Sequence, residues 1–501
     1  MVLWSRSRVG CGTLLVMVAP PNIVLIMADQ HRADFLGCAG LTGALTPNID
    51  RLAATGARFT GVNCQGPLCM PARASFMSER YVRDHGVYTN WAEMDPSWPT
   101  YVKALGAAGY HTAMIGKAHL YRDDTHQAGH VDGLAHRLVE LGFAEVHESG
   151  DKFSTGIPHA YTDFLRGRGL LEAFKQHIAD RSYQGDNETG ANATKRVPMW
   201  DATPMPLPLD AYFDQWQGEQ AVRWIESYDG ERPFFMFVGF PGPHDPWDAP
   251  SAAREQYVGV DLAMPRSTSR PQSTDAGTYG RLLDGFLWLS DTETMTEDAI
   301  ADMRLAYAAN ISVIDEAVGR IVAALAATGR AKNTWVLYTS DHGEMAGDHG
   351  LMSKCVLYRG ATRVPLLIRP PEPHDPLVVD ALVEHMDVGA TIRAIAGAPQ
   401  IPNSEGRSLL GHLDGEPPAA REVSISENWG FALFETERYK LIVDEDALTP
   451  CHLVDLKSDP DEDENILSDP ANASIVEDLM ADYARPFLAT PPARPHKSPF
   501  T

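Results

Sequence analysis

Four stretches of the chain are apolar almost without interruption, and each runs into a polar group. They are residues 22–29 (NIVLIMAD), ending in Asp29, and 111–119 (HTAMIGKAH), reaching Lys117 and His119. The others are 233–244 (PFFMFVGFPGPH), reaching His244, and 334–342 (TWVLYTSDH), ending in Asp341 and His342. A strand that faces water on one side alternates apolar and polar residues, whereas a continuous run suits a strand covered on both faces. Helical segments lie between the runs. Residues 47–56 and 98–109 begin near a proline and stop at a glycine. The segment 297–328 repeats apolar residues every three or four positions from Ile300 to Leu325, with Thr294 and Glu297 expected as a capping box and Gly329 as the stop. The alternation predicts an α/β fold with a large, mostly parallel sheet flanked by helices. In such a sheet a ligand sits beyond the carboxyl ends of the strands, where all four runs place their polar groups.

The remaining chain is less regular. Residues 120–210, rich in Gly, Asp, His and Pro, are expected to be surface loops that cover a site and select its substrate. The proline cluster 369–376 reads as a loop and 386–396 as a helix. From residue 414 the pattern changes to short strands (EVSISEN, FALFETERYKLIV, CHLVDL), which predict a smaller antiparallel subdomain over 414–501 with an extended tail from 485. The main α/β domain is then 21–413. Residues 1–20 carry arginines followed by a short apolar run, and read as a leader or an incorrect start. Cytoplasmic residence is expected, with a periplasmic or secreted location as the alternative if that stretch is a signal peptide. Nothing later is long enough to span a membrane. With 42 Lys and Arg against 67 Asp and Glu, a formal net charge of −25 and no basic run, nucleic acid is excluded as a partner. Cys11, Cys38, Cys64, Cys69, Cys355 and Cys451 show neither a disulfide framework nor zinc-like clustering.

Residues 67–76 (PLCMPARASF) hold the most specific local signal. Pro71 suits the first turn of a helix, which puts Cys69 at or just before the helix start among free N–H groups and the positive dipole end. Arg73 adds a fork of donors, giving an oxyanion-binding corner that contains a nucleophile. A thiolate of lowered pKa is one reading of Cys69. Taken singly, His119, His244, Lys117 and Asn90 also suit ordinary structural roles. Asp348 and His349 read as loop-shaping residues, and Cys64 as a buried free thiol.

The Cys-x-Pro-x-Arg segment resembles the sulfatase signature of the alkaline phosphatase superfamily. The likeness extends over most of residues 21–470 through Asp29, GKAHL (116–120), PHDPW (243–247), TSDHGEMAGDHGLMSK (339–354) and LYRGATRVPLLIRPP (357–371). It implies a large mixed sheet of the alkaline phosphatase type. It also implies that Cys69 is oxidised to formylglycine, whose hydrate attacks sulfate monoesters, aryl or alkyl, through a covalent sulfo-enzyme intermediate. Asp29, Asp341, His342 and the modified Cys69 are then the metal ligands, and Gln30 stands where many sulfatases have a second aspartate. Arg73 orients the formylglycine and offsets its charge. Lys117, Lys354 and Asn90 hold the oxyanion, His244 protonates the leaving group and His119 deprotonates the second hydroxyl. An amide and an imidazole in place of a carboxylate and an amide soften the site, which favours manganese over calcium. The pairs Asp29-Gln30 and Asp341-His342 look like those of choline sulfatases and phosphonate monoester hydrolases, so phosphonate monoesters or phosphodiesters are the alternative substrates. The Lys-x-His at 117 and 119 favours sulfate esters. The expected partners are a small-molecule sulfate ester, a formylglycine-generating enzyme during maturation and further copies of the chain.

Overall fold

The computed structural model describes residues 3–9, 12–121, 129–181, 197–265, 267, 279–280, 283 and 292–494, with side chains from residue 19 onward except at residue 293. The strands in chain order are β1 (Leu3–Val9), β2 (Gly12–Val18), β3 (Asn22–Asp29), β4 (Ala57–Asn63), β5 (His111–Gly116), β6 (Glu145–Glu148) and β7 (Phe234–Pro243). After these come β8 (Thr334–Ser340), β9 (Leu366–Arg369), β10 (Leu377–Glu384), β11 (Ser424–Asn428), β12 (Phe431–Glu435), β13 (Tyr439–Asp444) and β14 (Thr449–Asp455). β1 and β2 pair as a two-stranded antiparallel ribbon apart from the other sheets.

The main sheet has the order β10-β4-β9-β8-β3-β7-β5-β6. Its centre, β8-β3-β7-β5, consists of the four apolar runs, side by side and parallel. Both faces are covered, as the continuous runs predict. Ile23, Leu25 and Met27 join Phe235, Phe237 and Leu337 in one core, while Val24, Ile26 and Ala28 join Met236, Val238 and Tyr338 in the other. Helices Cys69–Ser78, Tyr101–Ala107 and Asp387–Ala396 cover the first face, and Phe213–Ser227 and Glu297–Ala327 the second. β9 runs antiparallel to both β4 and β8, which makes the sheet mixed.

Several sequence expectations need correction. Helix Glu297–Ala327 is capped by Thr296, whose side chain accepts from Ala299 N, while Thr294 belongs to a separate turn, Thr292–Thr294. Gly329, at φ +72°, does end it. Residues 120–210 are not merely loops: they hold β6 and the helices Ala160–Gly167 and Leu171–Arg181. Aromatic packing supports the first of these helices, with Tyr161 stacked on Phe213 at 3.9 Å and meeting Phe174 edge-on, so weak periodicity did not betray it. β11 to β14 form the expected small antiparallel sheet, with the run 431–443 broken into two strands at 436–438. The tail begins as a helical turn, Arg485–Leu488, because Phe487 packs edge-on against Tyr81 at 5.0 Å; residues 495–501 lie outside the described residues. Among the described residues no helix is long and apolar enough to cross a membrane.

Candidate active site

Strand register assembles the site. Ala28 pairs with Ser340, so Asp29 and Asp341 emerge next to one another, and Asp29 itself pairs with Pro243, one residue before His244. Gly116 pairs with Gly239, which brings Lys117 to the same edge. A side chain at residue 239 would put its Cβ 2.1 Å from the Lys117 carbonyl oxygen, so the two strand ends can approach only because that position is glycine. Helix Cys69–Ser78 starts under this edge as Pro71 predicts, and Asn90 Oδ1 accepts the Met70 N–H at 3.0 Å.

One ligand atom each from Asp29, Cys69, Asp341 and His342 lies within 4.8 Å of the others, and all four residues are buried. Cys69 Sγ, which marks where an oxygen of a modified residue would sit, is 3.7 Å from Asp29 Oδ1 and 3.2 Å from His342 Nε2. The outer oxygens are already occupied. Arg73 donates from Nε to Asp341 Oδ2 at 2.8 Å and from Nη2 to Asp29 Oδ2 at 3.1 Å, while Nη1 serves the carbonyls of Lys117 and Ala118. Its fork therefore ties the two carboxylates together and does not face an incoming oxyanion, as the sequence alone suggested. Lys117 Nζ adds an ion pair to Asp29 Oδ2 at 2.7 Å. Burial and the Cys69 sulfur push the Asp29 carboxyl up, but Lys117, His244 and Arg73 outweigh them and hold it well below the usual carboxylate range. Two buried carboxylate oxygens and a sulfur facing one space, with an imidazole beside them, suit a divalent cation.

A second group of residues stands over this floor. Burial pushes the Cys69 thiol up, yet Lys354, His342 and hydrogen bonds from His119 and His244 bring it well below its ordinary value. His119 is half-buried, has φ +51°, and its Nδ1 has no hydrogen-bond partner among the described residues. Lys354, flanked by Ser353 and Cys355 at φ +66° and +70°, contacts His244 Nε2 and Gln30 Oε1. The Gln30 amide donates to Glu344 and, at 3.4 Å, to Asp245, so this side chain is directed into the Lys354–Glu344 network. Burial opposes charge on His244, but Asp245 beside it raises its pKa. Lys117, His119, His244, Lys354 and Asn90 are all brought to this edge. His349 stacks on Tyr358 at 4.4 Å and Asp348 pairs with Arg32, both in loop-shaping roles, and Cys64 is a buried free thiol.

Sequence reasoning missed Asp151, Asp245 and Glu344. Asp151 Oδ2 lies 3.6 Å from Lys117 Nζ, and its carboxyl is held at about 2 by Lys117, His119 and His244 against the effect of burial. Asp245 and Glu344 lie inside conspicuous motifs but have no spacing that assigns a role, and Asp151 stands in no motif at all.

A family model described as Sulfatase matches residues 21–398, and one described as N-sulphoglucosamine sulphohydrolase, C-terminal, matches 347–485. The chain is 30% identical over 401 residues to an arylsulfatase of Clostridium perfringens, covering 78% of this chain and 77% of that one. It is 27% identical over 514 residues to a multifunctional alkaline phosphatase superfamily protein of Trinickia caryophylli, covering 93% and 94%. The crystal structure of a phosphonate monoester hydrolase of Agrobacterium radiobacter shares the fold, with a TM-score of 0.75 at 24% identity and coverage of 94% and 95%. The chain belongs to the sulfatase family of the alkaline phosphatase superfamily. It is a sulfuric ester hydrolase.

Proposed function

We propose that the enzyme hydrolyses sulfate monoesters, aryl or alkyl, with formylglycine made from Cys69 as its nucleophile. The observation that carries this reading is the buried convergence of Asp29, Cys69, Asp341 and His342, with Arg73 holding both carboxylates from behind. A divalent ion held by these four residues would acidify a hydroxyl of the hydrated aldehyde at neutral pH, manganese being preferred to calcium because an imidazole is among the donors. That oxygen attacks sulfur in line, the bond from sulfur to the ester oxygen breaks, and His244 gives its proton to the departing oxygen. Lys117 and Lys354 balance the charge on the sulfuryl oxygens. His119 takes the proton of the second hydroxyl, the carbonyl re-forms as its bond to sulfate breaks, and water restores the hydrate. A plain thiol or a serine has no second hydroxyl and so lacks this release step.

Trypsin cleavage after Arg58 and Arg73 releases a peptide that contains both Cys64 and Cys69. In active protein, residue 69 is expected as an aldehyde, lighter than the thiol, reactive towards hydrazides and inert to alkylation, while Cys64 serves as the normal thiol within the same peptide. A thiol at residue 69 throughout the active fraction defeats the mechanism. Elemental analysis is expected to find one divalent ion per chain, and active protein without metal would defeat the mechanism.

The second reading, hydrolysis of phosphonate monoesters or phosphodiesters in the same pocket, is favoured by one feature: with Gln30 turned to Lys354 and Glu344, only two carboxylates, Asp29 and Asp341, face the candidate metal position, beside the imidazole of His342. Competing kcat/KM values for paired sulfate and phosphonate esters of one leaving group decide between the two.

A further inference from the structure

We propose that Lys152 is a positioning residue for His244, so that the loop behind β6 sets the geometry of leaving-group protonation; this rests on the reading of His244 as the acid. Residues 149–153 pass between three parts of the site. Ser149 roots the loop, its N–H donating to Gly116 O at 3.3 Å and its hydroxyl to Gln217 Oε1 at 2.9 Å. Asp151 turns to Lys117, and the Phe153 ring meets the His244 ring edge-on, with centroids 6.1 Å apart.

Lys152 points the other way, into the interior, and is 3% exposed. Its Nζ donates to Pro246 O at 3.1 Å and to Tyr212 OH at 2.9 Å, and lies 3.4 Å from Asp248 Oδ1; Tyr212 OH in turn donates to Asp248 Oδ1 at 2.8 Å. An ammonium has three donors, and all three are engaged. One of them holds the backbone two residues beyond His244. The rest of that turn is held as well: Gly242 N donates to Asp214 Oδ1 at 2.9 Å, Asp248 N to Pro246 O at 3.0 Å and Met205 N to Asp248 O at 2.8 Å. Within the turn, His244 Nδ1 lies 2.8 Å from Asp245 O, which leaves Nε2 facing Lys354 and the Cys69 position.

A charge buried away from solvent is costly and persists where partners satisfy it. Here the partners are the support of the acid's own turn. A general acid must sit within hydrogen-bond reach of the departing oxygen, and errors of about half an ångström matter. Loss of the ammonium leaves Pro246 O with Asp248 N as its donor and Asp248 with Tyr212 and His177 as its partners, so the turn that carries His244 loses its tie to the loop behind β6 and loosens while the metal ligands stay in place.

The test is Lys152→Met in the matured, formylglycine-containing enzyme, assayed on sulfate esters ranging from 4-nitrophenyl to alkyl. The expected result is a kcat lower by about tenfold or more on alkyl sulfates, within about threefold of wild type on the activated aryl ester, with KM nearly constant. Lys152→Arg, which keeps the cation and its donors, is expected to recover most of the alkyl activity. If Lys152→Met does not fold, Phe153→Leu replaces it and is expected to show the same leaving-group dependence at smaller amplitude. An equal loss across the series, or none, overturns the inference. His244→Ala is run in parallel. A selective loss there with a uniform one in the loop variants overturns the positioning role alone, and a uniform loss in His244→Ala overturns the acid assignment and this inference with it.

Discussion

The floor and the rim of the site are built in opposite ways. Asp29, Asp341 and His342 are fully buried at the ends of neighbouring parallel strands, and Arg73 reaches the two carboxylates from a helix packed beneath them. The rim residues stand on turns: His119 at positive φ, Lys354 between two residues at positive φ, Asn90 half-buried, and His244 on a turn clamped by Lys152. A cation requires its ligands at fixed distances, and adjacent strand ends supply that rigidity, although Gln30, next to Asp29, is itself at φ +69°. Groups that meet a varied ester must reach outward, and the local strain of their turns is sustained by the scaffold around them. On the proposed mechanism, the floor would carry what the chemistry always needs and the rim what a substrate can change.

The largest effect should come from the floor. Arg73→Met leaves two buried aspartates without their shared partner, for which losses of about 3–5 kcal/mol are typical when one member of a buried pair is removed. Denaturant unfolding should show that loss, activity should fall by about a thousandfold or more, and elemental analysis should find less bound metal. Wild-type stability and metal content in this variant would erase the distinction between floor and rim. His244→Ala comes next and should behave in the reverse manner: full metal content, little loss on activated aryl esters and a loss of about a hundredfold to ten-thousandfold on alkyl sulfates. A drop in metal content there would mean that the two layers are not separable.

That division also explains what could be read from the sequence. The floor is nearly all legible, because a strand buried on both faces writes itself as an unbroken apolar run and its last residue is fixed at the sheet edge. Cys69 and Arg73 are legible because they share one helix turn. The rim was read through its motifs, and its support was not. Lys152 and Asp151 are single charged residues in an irregular stretch, and only the pairing of β6 with β5 brings them against Pro246 and Lys117. Gln30 was placed at the floor from its position beside Asp29, but its φ of +69° turns the side chain towards Glu344 and Lys354. Thr294 and Thr296 offer the same hydroxyl two residues apart, and only the helix start distinguishes them. The short β9 lies between neighbours with which it pairs antiparallel, an order that no local pattern records.

Asn90 belongs to both layers and gives the smallest and most discriminating test. Its Oδ1 accepts the N–H of Met70 in the first turn of the Cys69 helix, which leaves Nδ2 as its only donor group for an oxyanion. Asn90→Ala removes both functions: stability should fall by about 1–2 kcal/mol, since a buried N–H loses its acceptor, and KM should rise several-fold. Asn90→Asp separates them. The carboxylate can still receive the Met70 N–H, so stability should return towards wild type, but it has no donor and repels an anionic ester, so the rise in KM should persist or grow. If Asn90→Asp restored KM along with stability, Asn90 would be a support of the helix start and nothing more, and the rim's hold on the sulfuryl oxygens would fall to Lys117 and Lys354 alone.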